Sequence, residues 1–95
     1  MEISTSSNIV TITGNIKTVN DFQTIKTTLD SLKLSESSIM VIVKDSLSIT
    51  SSVIGYLNKL ILKDKIKIEM KIGDAQLMEL LNELNLATTF KARKG

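Results

Sequence analysis

The sequence predicts an α/β fold built on a largely parallel sheet. Three observations carry this. Ile39-Met40-Val41-Ile42-Val43 is an unbroken apolar run of the kind found in a central strand buried on both faces. Residues 65–72 alternate strictly, with Ile66, Ile68, Met70 and Ile72 on one side and Lys65, Lys67, Glu69 and Lys71 on the other. Between and after these runs, Val53, Leu57, Leu60 and Ile61, then Leu77, Met78, Leu81 and Leu84, repeat at helical spacing. Alternating strands and helices call for crossover connections between parallel strands.

Composition bounds the rest. Ninety-five residues, 42% apolar and 23% charged, fit one globular domain over 1–95, with a short polar N-terminus (1–7) and a basic C-terminal tail (91–95). No apolar run approaches the roughly 20 residues of a membrane span. Met1 to Ser7 lacks a basic segment followed by an apolar one, and there is no cysteine. The expectation is a cytoplasmic protein without direct membrane insertion.

Histidine is also absent, so Ser-His-Asp and Cys-His chemistry cannot be assembled within this chain. No paired-carboxylate constellation stands out. The sequence therefore reads as a non-enzyme that needs no cofactor or metal. Of the formal charge of +2, Lys91, Arg93 and Lys94 contribute +3, which leaves the body at −1. The locally basic stripe from Lys59 to Lys71 meets few aromatic residues for base stacking: Phe22, Tyr56 and Phe90 only. A solvated face and a solubilising tail fit better than a nucleic-acid groove.

Taken in order, Ile3 fits a short edge strand, but its Ser/Thr neighbours argue for fraying. Val10 and Ile12 alternate with Thr11 and Thr13 as a half-buried strand, and Gly14-Asn15 interrupts it. Asn20 reads as an N-cap with Gln23 completing a weak capping box. Phe22, Ile25, Leu29 and Leu32 then form one helical stripe. The apolar run 39–43 follows, and after Lys44-Asp45-Ser46 a helix from about Ser51 to Asp64, with Tyr56 between its faces. The alternating strand 65–72 leads through Gly73 to Asp74, a helix cap, and Asn85 closes that helix in a left-handed C-cap. Ala87 to Phe90 leads into the tail. Short strands at either end remain open.

The junction from Ser46 to Leu62 is the chemically suggestive stretch. A strand passes into a helix through Ser48, Thr50, Ser51 and Ser52, beside unpaired backbone N–H groups. Such hydroxyls serve as caps, and the same place suits a phosphate. Gly14, Gly55, Gly73 and Gly95 stand alone, so no Gly-rich phosphate loop is present.

The strand 39–43, its polar turn and Leu47-Ser48-Ile49-Thr50-Ser51-Ser52-Val53-Ile54-Gly55 resemble the signature of STAS domains, the anti-sigma factor antagonist family, where Asp-Ser-Ser/Ala-Gly-Leu-Gly opens a helix. Val10 to Ile16, Ile66 to Ile72 and Leu77 to Phe90 are similar to the flanking elements, so the resemblance spans about residues 8–92. It implies a mixed, mostly parallel sheet of four to five strands with three helices covering mainly one face. It also implies a regulatory module that binds a protein partner, an anti-sigma factor or serine kinase. Ser51 then stands where partner-switching members are phosphorylated, with Ser52 and Thr50 as secondary candidates. Ser48, Thr50, Ser51, Ser52, Gly55, Tyr56 and Lys59 would form the binding surface. The chain departs from the motif at Thr50, where the family has Asp, and at Val53, where it has the first Gly. It also ends before the family's usual C-terminal helix. An alternative expectation is a STAS-type accessory subunit of a membrane transport complex, bound to its ATPase without phosphorylation. A third is a nucleotide or other small ligand at the same helix N-terminus. The oligomeric state is left open.

Overall fold

The computed structural model describes residues 1–95, and the chain begins as a hairpin. Strands β1 (Glu2–Ser6) and β2 (Ile9–Thr13) pair antiparallel, with Ser6 opposite Ile9 across a two-residue loop. Ser7 adopts φ 56° there, as such tight loops require. The expected fraying of this segment is thus corrected: Ser and Thr pair along its whole length because the hairpin fixes the register locally. Asn8 Nδ2 also ties the loop to the carbonyl of Ser38, at 2.9 Å.

From β2 onward the sheet is parallel. It continues through α1 (Val19–Leu32), β3 (Ser38–Lys44), α2 (Ser51–Leu62), β4 (Lys67–Ile72), α3 (Ala75–Glu83), the single-turn α4 (Leu86–Thr89) and β5 (Ala92–Lys94). The strand order is β1-β2-β3-β4-β5, so the sheet is five-stranded and mixed, with one antiparallel pair. Each crossover steps one strand in the same direction, and with a constant hand this puts every connecting helix on one face. The burial agrees. Val10 and Ile12, Ile39, Val41 and Val43, and Ile68, Met70 and Ile72 are all buried, and their register sets them side by side on the helix-covered face.

The central place expected for residues 39–43 is observed, but not burial on both faces. Met40 and Ile42 point to the bare side and are only half-buried. The alternation of residues 67–72 has the same cause: β4 is an interior strand of a one-sided sheet.

Three further expectations are corrected. Helix α1 is capped by Thr18, not Asn20, which lies inside the helix. Thr18 Oγ1 accepts from Asp21 N at 3.0 Å, and Asp21 Oδ2 accepts from the backbone N–H groups of Thr18 (3.1 Å) and Lys17 (2.9 Å), a full capping box. Those backbone hydrogen bonds hold the Asp21 carboxyl below its ordinary range. Leu84 is not core but 49% exposed, because α3 stops at Glu83. The basic tail is an edge strand: Phe90 is fully buried and anchors it, Lys91 turns the chain at φ 50°, and Ala92 pairs with Met70. Asp74 caps α3 through Gln76 N (2.8 Å) and Leu77 N (3.3 Å), and Asn85 follows at φ 58°, both as expected.

Candidate functional site

Helix α2 buries Val53, Tyr56, Leu57 and Leu60. Its capping resolves the ambiguity of the hydroxyl cluster. Thr50, in extended backbone geometry, accepts from Val53 N through Oγ1 at 3.3 Å, and its carbonyl takes Ile54 N at 3.1 Å. Thr50 is the cap. Ser51 and Ser52, the first two residues of the helix, are exposed, and neither hydroxyl has a hydrogen-bond partner within the chain.

The loop in front of α2 is pinned. The buried Ser46 hydroxyl donates to the carbonyl of Ser48 at 2.8 Å, and Asn15 Oδ1 accepts from Leu47 N at 2.9 Å. Gly14 N donates to the carbonyl of Lys44 at 2.9 Å, with Gly14 at φ 93° and Asp45 at φ 56°. Asn15 therefore joins the β2–α1 and β3–α2 loops. The sequence showed it only as part of a Gly-Asn break after a strand.

The expected partner-binding residues divide. Ser48, Ser51, Ser52, Gly55 and Lys59 are exposed and Thr50 is half-buried. Ser51, Gly55 and Lys59 recur every four residues, so they share one stripe of α2, which the 68%-exposed Leu62 extends. Nothing lies within 4 Å of where a Gly55 side chain would begin, so the backbone is open to a close approach.

Tyr56 does not belong to this surface. It is 5% exposed and packs edge-to-face on Phe22, with ring centroids 6.3 Å apart. Its hydroxyl donates to the Asp30 carboxylate, which also takes Lys26 Nζ at 2.8 Å. Lys33 Nζ bridges Asp30 (3.5 Å) and Asp64 (3.2 Å). Burial, reinforced by Asp30, pushes the Tyr56 hydroxyl upward. Hydrogen bonds from Lys26 and Tyr56 draw Asp30 down to about 2. Tyr56 thus clamps α2 to α1, a role hidden in sequence because Asp30 lies 26 residues away.

Between the N-termini of α1 and α2 runs a groove of about 330 Å³, lined by Lys17, Val19, Phe22, Thr50 and Ser52 among others. Val19 is 75% exposed on its rim. The first turn of α2 carries no carboxylate. No group of three acidic side chains converges to hold a metal ion, and no helix is long and apolar enough to cross a membrane. Comparison with protein-family models, curated proteins and solved structures finds no match.

Proposed function

We propose that the chain is a cytoplasmic, STAS-like regulatory module that docks a protein partner through the Ser48–Lys59 surface and is released by phosphorylation of Ser51. The observation that carries this is the division of labour at the start of α2. Thr50 caps the helix, so the Ser51 hydroxyl is spare, exposed and unpartnered. A serine needed as the cap would be a poor switch, because modifying it would disturb the fold. The one-sided, mixed five-stranded sheet supports this reading, while the single-turn α4 makes four helices where the resemblance implies three.

The mechanism is electrostatic. A phosphate on Ser51 adds roughly −1.5 to −2 charges at pH 7. At this site the helix dipole favours that charge, and no first-turn carboxylate opposes it. The domain stays folded, while a partner seated on the stripe loses a neutral hydroxyl and meets a bulky anion. An anti-sigma factor or serine kinase is the partner class that the resemblance implies.

One observation favours a second reading, the accessory subunit of a transport complex bound to its ATPase. Val53, where the family motif has glycine, is a core side chain, 2% exposed. The partner-switching motif is thus rebuilt at that position. Incubation with anti-sigma-type serine kinases and ATP, then mass analysis of the peptide spanning residue 51, separates the two. A phosphate on Ser51 supports the switch; a bound partner with Ser51 unmodified supports the second reading.

A further inference from the structure

Opposite the helices the sheet is bare, and its side chains are not random. The register sets Ile9 beside Met40, Thr11 beside Ile42, Ile42 beside Lys71, and Lys71 beside Arg93 on the edge strand. Met40 and Ile42 are half-buried and Ile9 is 37% exposed, which leaves a small apolar centre open to solvent. Strands lie about 4.8 Å apart and alternate residues about 6.7 Å apart along a strand. The three apolar side chains therefore form one compact, corner-shaped patch within reach of a single partner element.

Charge surrounds this centre unevenly. Lys44, Lys67, Lys71 and Arg93 lie on the same face, and none of them joins an ion pair within the chain. Glu69, beside Met40, and Glu2 are the carboxylates of this face, while its β1–β2 side carries Ile9 and otherwise hydroxyls: Ser4, Ser6, Thr11 and Thr13. The face is apolar in the middle and cationic toward β4 and β5.

The geometry points to this bare sheet face as a second docking surface, for an amphipathic helix of a protein partner whose apolar stripe is bordered by carboxylates. Charge complementarity selects that occupant. A second copy of the chain would bring like charge against like, since four cations face out against two carboxylates on each. Nucleic acid would need stacking side chains, and Phe22, Tyr56 and Phe90 all lie in the helix layer or core. A bilayer would need protruding apolar side chains, whereas Met40 and Ile42 are half-buried. Docking here leaves the α2 stripe free on the opposite side, so the module would hold two proteins at once. This inference stands apart from the fate of Ser51.

The test titrates the isotope-labelled full chain with a synthetic amphipathic helical peptide of about 18 residues, its Leu stripe flanked by Glu, followed by amide chemical shifts. A matched peptide with Lys in place of Glu is the control. The expected result is shifts centred on Ile9, Met40, Ile42 and Lys71, with binding at least about tenfold weaker for the Lys peptide and for K71E/R93E. The milder K71Q/R93Q variant gives the same ordering should the charge reversal disturb folding. The proposal is overturned by shifts confined to α1 and α2, or by equal binding of the Lys peptide. Tighter binding of single-stranded DNA or of phosphatidylglycerol vesicles at the same residues also overturns it.

Discussion

Thr50 Oγ1 accepts the backbone amide of Val53 at 3.3 Å, and this one contact frees the serine beside it. Losing a cap costs typically about 1 kcal/mol, and the length of this bond puts it toward the lower end. Thr50→Ala should therefore lower stability by about 0.5–1 kcal/mol, whereas Ser51→Ala should stay within about 0.5 kcal/mol of wild type. Urea denaturation of the two variants reads the difference. An equal loss in both would assign Ser51 to capping.

The resemblance implies a place for Tyr56 on the docking surface, whereas the structure buries it in the clamp between α1 and α2. Tyr56→Phe keeps the ring contact with Phe22 and removes the hydrogen bond to Asp30, at a cost of about 1.5–3 kcal/mol for a bond to a charged acceptor. Partner binding should be unchanged at concentrations where the variant is folded, which a binding isotherm checks.

The same clamp gives a pH signature. Asp30 is depressed from 3.8 to about 2, so the stability it lends is present above about pH 4 and is lost as pH falls through 2. A depression of that size in a dry site corresponds to about 2.4 kcal/mol. The Asp30 side chain is 33% exposed, so screening brings this nearer about 1 kcal/mol. Chemical denaturation between pH 5 and 2 should show that loss in wild type and not in Asp30→Asn.

Substitution at Gly55 should separate folding from the proposed docking. It lies inside α2 with open space where a methyl group would stand, so Gly55→Ala should raise stability by about 0.5–1 kcal/mol. The same methyl projects from the Ser51–Gly55–Lys59 stripe and should weaken partner binding. A variant that melts higher and binds less well is the expected pair of results, read by thermal denaturation and titration calorimetry.

Much of this architecture was legible because period decides it. The alternation 65–72 demanded one wet face, and the same one-sidedness explains why Met40 and Ile42 are left half-bare despite an unbroken apolar run. Asp74 and Asn85 were legible because their side chains favour those backbone states locally. What escaped depended on distant partners or on competition between neighbours. Asn20 is the expected cap, but Thr18 holds that place because Asp21 reaches back to two amides beside it. The strand at 92–94 looked like a tail because its charges hid the anchor before it, the buried Phe90. The roles within the hydroxyl cluster are fixed by geometry: Thr50 turns in to cap the helix, while Ser51 and Ser52 stay exposed.

The proposed switch changes binding without changing the fold, and Ser51→Asp separates the two effects. Affinity capture from the native cells with wild type and variant, alongside thermal melting, gives both readouts. The expected result is a partner recovered by wild type and lost by Ser51→Asp, with Tm within about 4 °C, less than about 1 kcal/mol for a domain of this size. Capture of the same partner by both proteins, or a collapse in Tm, would contradict it.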